Sequence, residues 1–188
     1  MPSFFLHGAI TPQAVEGTYI VWMVVLSYAV ACLAAFSTIL LSRELVRETH
    51  PALRRGLHWL GALVLGAGIW SMHFIGMQAY ATRIEMHYAP FLTFLSFAAA
   101  SLVAYQVLTL MARERLSART VMGSSLLLGT AICLMHYMGM AAMQMRAEIR
   151  YIPWLFGLSV LVAVAASGAA VLVIARLARY GGAYYYPL

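Results

Sequence analysis

Five long apolar stretches alternate with short polar breaks along the chain: Tyr19–Ser42, Gly56–Tyr80, Pro90–Ala112, Thr120–Met143 and Ile152–Ala175. A hydrocarbon layer of about 30 Å takes roughly 20 helical residues to cross, and a backbone in lipid must satisfy its own hydrogen bonds. The pattern therefore predicts an all-α integral-membrane fold with five transmembrane helices. Residues 1–18 read as an extracytoplasmic N-terminal segment, 19–179 as the membrane domain and 180–188 as a C-terminal tail.

The polar breaks differ in charge. Arg43, Arg47, Arg54 and Arg55 fall between the first and second spans, Arg113, Arg115 and Arg119 between the third and fourth, and Arg176 and Arg179 after the fifth. The intervening breaks hold only Arg83, then Arg146 and Arg150, and the N-terminal segment holds none. Arginine collects on the cytoplasmic side of a membrane, so the expected orientation is N-out/C-in.

Composition agrees with a membrane chain and removes other classes. The 188 residues are 63% hydrophobic and 10% charged, with neither Lys nor Asp; mean hydropathy is +0.84. The basic pI near 9.6 comes from arginines in short loops, which build no groove for nucleic acid. Cys32 and Cys133 both lie inside apolar spans, so no disulfide framework is expected. The N-terminus lacks a charged region followed by an apolar one and does not read as a signal peptide.

An internal repeat stands out against this background. Ser71-Met72-His73-Phe74-Ile75-Gly76-Met77 recurs 63 positions later as Leu134-Met135-His136-Tyr137-Met138-Gly139-Met140. At the same offset Gly66 falls on Gly129, Arg83 on Arg146, Glu85 on Glu148, Tyr88 on Tyr151, Pro90 on Pro153 and Leu95-Ser96 on Leu158-Ser159. A partial third copy opens the chain, where an offset of 69 carries Glu16 to Glu85, Tyr19 to Tyr88 and Leu26-Ser27 to Leu95-Ser96. A unit of two spans restores the starting side, so the copies are expected to be parallel two-helix repeats about an axis along the membrane normal. Ser27, Ser96 and Ser159 read as interhelical hydrogen-bond groups.

In a helix, residues four apart share a face, so His73 sits over Met77 and His136 over Met140. Trp70, His73, Met77 and Tyr80 form one stripe, matched by Cys133, His136, Met140 and Met143. Imidazole and thioether together favour copper, Cu(I) above all, whereas zinc would come with more Cys or carboxylate and Mg²⁺ or Ca²⁺ with oxygen. The alternative for any one histidine is a core residue hydrogen-bonded to a neighbour, with Met as filler. Recurrence at matched depth favours ligation.

Met-His-(Phe/Tyr)-x-Gly-Met repeats, each followed by Tyr and a Leu-Ser helix, resemble the MHYT domain, a bacterial integral-membrane sensor domain. The resemblance runs from His7 to about Arg176. It implies copper held through Met72, His73, Met77, Met135, His136 and Met140, sensing of O2, CO or NO, and residence in the bacterial cytoplasmic membrane. It also implies a link to domains that make or degrade cyclic di-GMP. The family pattern has a third motif that this chain lacks, and these 188 residues include no output domain, so the expectation is a separate cytoplasmic partner, a longer protein of which this is the sensor part, or a homo-oligomer.

Further candidates carry two readings each. His7 either supplies the imidazole of the incomplete copy or is a terminal residue in water. Glu16, Glu85 and Glu148 either accept a hydrogen bond from a ligand histidine or pair with neighbouring arginines. Tyr19, Tyr88 and Tyr151 are site donors or interfacial aromatics. Cys133 is a ligand or a small buried residue, His87 a loop residue, and His50 and His58 interfacial groups on the cytoplasmic side. The leading expectation is a copper-binding sensor of a diatomic gas or redox state. A copper-dependent membrane oxidoreductase and a haem-binding electron-transfer protein are the alternatives. Copper transport ranks last, because it would need soft ligands continuing across the membrane.

Overall fold

The computed structural model describes residues 17–82, 85–113, 117–145 and 149–180. Five helices carry the chain: α1 Val21–Arg47, α2 Pro51–Gln78, α3 Pro90–Met111, α4 Ala118–Ala142 and α5 Pro153–Tyr180. All five are long and apolar enough to cross a membrane. Pro51, Pro90 and Pro153 each open a helix, where a fixed φ helps and the missing N–H costs nothing. At the start of α4, Ser117 caps instead, its Oγ accepting from the Thr120 N–H at 3.2 Å.

The first two helices run further than the apolar pattern. α1 continues through Arg43 and Arg47, and α2 begins before Arg54 and Arg55, leaving only residues 48–50 between them. Arginine continues a helix while its long stem carries the charge out to water. The break falls where Pro51 forces an extended residue before it.

Neighbouring helices pack antiparallel through positions without side chains. A Cβ on Gly66 would lie 2.6 Å from the Ser101 Cα, and one on Gly129 would lie 2.6 Å from the Val164 Cα. These crossings, α2 on α3 and α4 on α5, are the same crossing 63 residues apart. Gly68 meets the Ala34 side chain where α1 crosses α2. α3 is the hub of the core: Val103 and Leu110 join Leu128 and Val171, and Ala104 and Leu108 join Ala62. α1 and α5 flank it, exposing Val25, Phe36, Leu161 and Val162.

The recurrent serines bind across helices as expected. Ser27 Oγ donates to the Met72 carbonyl at 2.8 Å, Ser96 Oγ accepts from Trp70 Nε1 at 3.1 Å, and Ser159 Oγ lies 2.6 Å from the Tyr137 hydroxyl. Each ties an odd-numbered helix to a motif helix.

Two short ladders, absent from the sequence expectation, close one end. β1 (Thr18–Tyr19) pairs with β2 (Tyr80–Ala81), and β3 (His87–Tyr88) with β4 (Met143–Gln144), both antiparallel. Tyr19 stands opposite Tyr80 and Tyr88 opposite Met143. The Ile20 N–H donates to the Ala79 carbonyl and the Ala89 N–H to the Ala142 carbonyl, each at 2.8 Å. Strands of two residues contain no periodicity to detect.

At the opposite end, His50 is exposed as expected, but His58 is not a simple interfacial residue. Its ring stacks on Tyr105 at 4.2 Å, and its Nε2 lies 3.2 Å from both the Tyr105 carbonyl, to which it donates, and Thr109 Oγ1. The contact joins α2 to α3 and has no counterpart at the repeat offset, where Val121 and Gly168 stand. One interhelical hydrogen bond plus a ring contact suggests that His58→Ala lowers stability in detergent by about 1–3 kcal/mol. His50→Ala should leave the unfolding temperature unchanged, and equal behaviour of the two would show that the stack stabilises nothing.

Candidate metal centre

Because α3 returns the chain between them, α2 and α4 run in the same direction, and their motif ends reach the ladder end together. There the His73 and His136 rings meet edge to face, centroids 4.9 Å apart and planes at 63°. His73 Nε2 is buried with no hydrogen-bond partner among the described residues. The ring is seated against the other motif: a Cβ on Gly139 would lie 3.0 Å from His73 Nε2 and 3.3 Å from Cδ2. A side chain there would push the imidazole away. Gly76, the matching glycine, instead faces Ser27 Oγ at 3.5 Å, so identical motif positions do different jobs.

The aromatic after each motif histidine packs on the tyrosine that starts the next helix. Phe74 and Tyr88 lie 5.2 Å apart between centroids, and Tyr137 and Tyr151 lie 5.3 Å apart. Both members of the second pair stand 63 residues after those of the first. Trp70 turns aside to α3, its Nε1 donating to Ser96 Oγ, and packs on Phe74 at 4.7 Å.

The MHYT family model, described as a bacterial signalling protein N terminal repeat, matches residues 66–124 and 129–183. The chain belongs to the MHYT family. Its relatives are signalling proteins. One is the bifunctional diguanylate cyclase/cyclic di-GMP phosphodiesterase MucR of Pseudomonas aeruginosa, 40% identical over 85% of this chain and 23% of MucR. Another is the cyclic di-GMP phosphodiesterase NbdA of the same organism, 37% identical over 80% of this chain and 19% of NbdA. The signaling protein YkoW of Bacillus subtilis is 37% identical over 80% of this chain and 18% of its own length. The chain thus spans about a fifth of the length of these curated relatives. No solved structure matches it significantly.

The remaining candidates of this MHYT chain are placed as follows. Met77 and Met140 follow the histidines by one turn and are half-buried, as is Met72, whose carbonyl accepts from Ser27. Met135 is buried in the core. Cys133 is a half-buried free thiol. Among the described residues, no three His, Cys, Asp or Glu side chains converge as a metal set. Glu85 is exposed. His7, Glu16 and Glu148, with Arg83 and Arg146, lie outside the described residues.

The three equivalent tyrosines have three environments. Tyr19 is 68% exposed and touches Tyr80. Tyr151 rests half-buried on Tyr137 and Phe156. Tyr88 is half-buried with its hydroxyl sealed from solvent and without a hydrogen-bond partner among the described residues. Burial raises the Tyr88 phenol above its ordinary value, which keeps it a protonated donor at neutral pH. Repetition in the sequence did not separate these three, because exposure depends on which helix covers each ladder.

Proposed function

We propose that this MHYT chain is the input module of a membrane sensor, in which His73 and His136 hold one copper ion with thioether donors from Met77 and Met140. The observation that carries the reading is the facing histidine pair with an unpaired, buried Nε2. A buried polar atom without a partner is costly, and a small ion relieves that cost. The two imidazoles, with centroids 4.9 Å apart, are the groups that would hold the ion. Rings closed edge to face leave no slot for a flat macrocycle between them, so the pair as it stands suits an ion better than haem. Soft Met and imidazole donors, with no acidic group joining them among the described residues, favour copper over zinc.

Copper held there would supply a site for a diatomic gas or for one-electron redox change, and His73 on α2 and His136 on α4 would carry any change at that site into the two helices. Two parallel repeats, N-out/C-in in the bacterial cytoplasmic membrane, put the site in the outer layer. The signal then passes to a cyclic di-GMP output of the kind named for MucR and NbdA. Metal analysis and an absorption spectrum of the purified protein test the metal: stoichiometric copper without a Soret band is expected, and a Soret band or absence of copper would sink the reading.

Orientation is tested separately. In a Cys32→Ala, Cys133→Ala background, Glu85→Cys should react with an impermeant thiol reagent on intact cells and Arg113→Cys should not. The reverse pattern would place the histidines on the cytoplasmic side.

A further inference from the structure

Two buried polar atoms at the ladder end, His73 Nε2 and the Tyr88 hydroxyl, have no hydrogen-bond partner among the described residues, and Phe74 packs on both of their rings. Phe74 touches His73 at 5.8 Å and Tyr88 at 5.2 Å between centroids. A Cβ on Gly139 would meet both His73 Nε2, at 3.0 Å, and Phe74 Cε2, at 3.7 Å. Gly139, the unpaired edge of His73, Phe74 and Tyr88 are therefore one contiguous wall. The β3–β4 register fixes Tyr88 opposite Met143, the first residue past the end of α4, seven positions after His136. The ladder thus ties Tyr88 to the end of the helix that carries His136.

A buried tyrosine kept for packing alone finds a partner for its hydroxyl or is replaced by phenylalanine at no loss. Tyr137 follows that rule, its hydroxyl 2.6 Å from Ser159 Oγ. Tyr88 does not. We propose that Tyr88 is the hydrogen-bond donor to the molecule that copper takes up at the histidine pair. The site therefore prefers a small ligand whose outer atom accepts a hydrogen bond. This rests on the copper reading above. The arrangement makes Tyr88 a specificity-determining residue: it leaves the metal itself alone and discriminates among ligands, because a poor acceptor gains nothing from the phenol.

The test uses the full chain, purified and loaded with Cu(II), with azide as probe. Parent, Tyr88→Phe and Tyr19→Phe are compared for copper content, for azide affinity by charge-transfer absorption, and for thermal stability without metal. Tyr88→Phe is expected to keep its copper, to bind azide about tenfold more weakly, equivalent to about 1.4 kcal/mol, and to be at least as stable as the parent when metal-free. Tyr19→Phe should match the parent throughout. Unchanged azide affinity in copper-loaded Tyr88→Phe, or a parent that binds copper but no azide, would overturn the assignment. A metal-free Tyr88→Phe that loses stability or fails to fold would also overturn it, since the hydroxyl would then be holding the ladder. A parent without copper is a different failure: it removes the metal reading, and this proposal with it.

Discussion

Either His73→Ala or His136→Ala should strip most of the copper from the purified protein, reducing affinity roughly 100-fold or more. Even residues that only orient a ligand change metal affinity by about 10–100-fold when mutated, and the two imidazoles proposed as donors face each other across a helix pair. The thioethers that remain are weaker ligands for Cu(II) and sit on flexible side chains. Substitution removes an unpaired polar atom at His73, so helix content by circular dichroism should be retained in both variants. His50→Ala, exposed at the other end of α2, is the control. Equal copper in all three variants would show that the histidines pack and do not ligate.

The largest effects on stability should come from the two glycine crossings. Elsewhere in a helix, Gly→Ala is worth up to about 1 kcal/mol of added stability. At Gly66 the new methyl would meet the Ser101 Cα at 2.6 Å and its nitrogen at 2.9 Å, and at Gly129 the Val164 Cα and nitrogen at the same distances. These are backbone atoms, so no rotamer change relieves the clash and the helices must separate. Overpacking costs about 1–3 kcal/mol or more, which outweighs the propensity gain. Gly66→Ala and Gly129→Ala should each lower the unfolding temperature in detergent, and the double variant should show the sum, because the crossings share no residues. Gly123→Ala, with nothing within 4 Å, should be neutral or stabilising. If Gly123→Ala and Gly66→Ala behave alike, the crossings are not as close as described.

These crossings matter for the site because they set where the motif ends arrive. Gly66 lies seven residues before His73 and Gly129 seven before His136, about 10 Å along each axis at about 1.5 Å per residue. A crossing fixed at equal depth on both helices brings the two imidazoles to one level. Loss of copper in Gly66→Ala would accordingly be an indirect effect of helix separation, distinguishable from ligand loss by its accompanying instability.

Much of this was legible in the sequence, since hydropathy and helical period are local. The five spans, the matched Met-His motifs, the interhelical serines and the membership of the MHYT family all follow from residues read in order. Helix ends were less legible. Arg43, Arg47, Arg54 and Arg55 interrupt the apolar pattern but not the helices, because arginine tolerates helix and proline does not.

What the sequence determined by itself was the set of helices and the equivalence of positions 63 apart. What only the tertiary structure decided was how equivalent residues differ. Gly139 seats the His73 ring while Gly76 faces a serine, and Tyr88 hides its hydroxyl while Tyr19 is exposed. A repeat fixes each helix and its faces, but five helices packed side by side give the copies unequal neighbours. α1 and α5 lie at the edges while α2, α3 and α4 lie between others, so identical residues meet lipid in one copy and protein in the next. That inequality of surroundings, a property of the packed bundle and of no segment within it, is why one tyrosine of the three packs on Phe74 with its hydroxyl sealed from solvent.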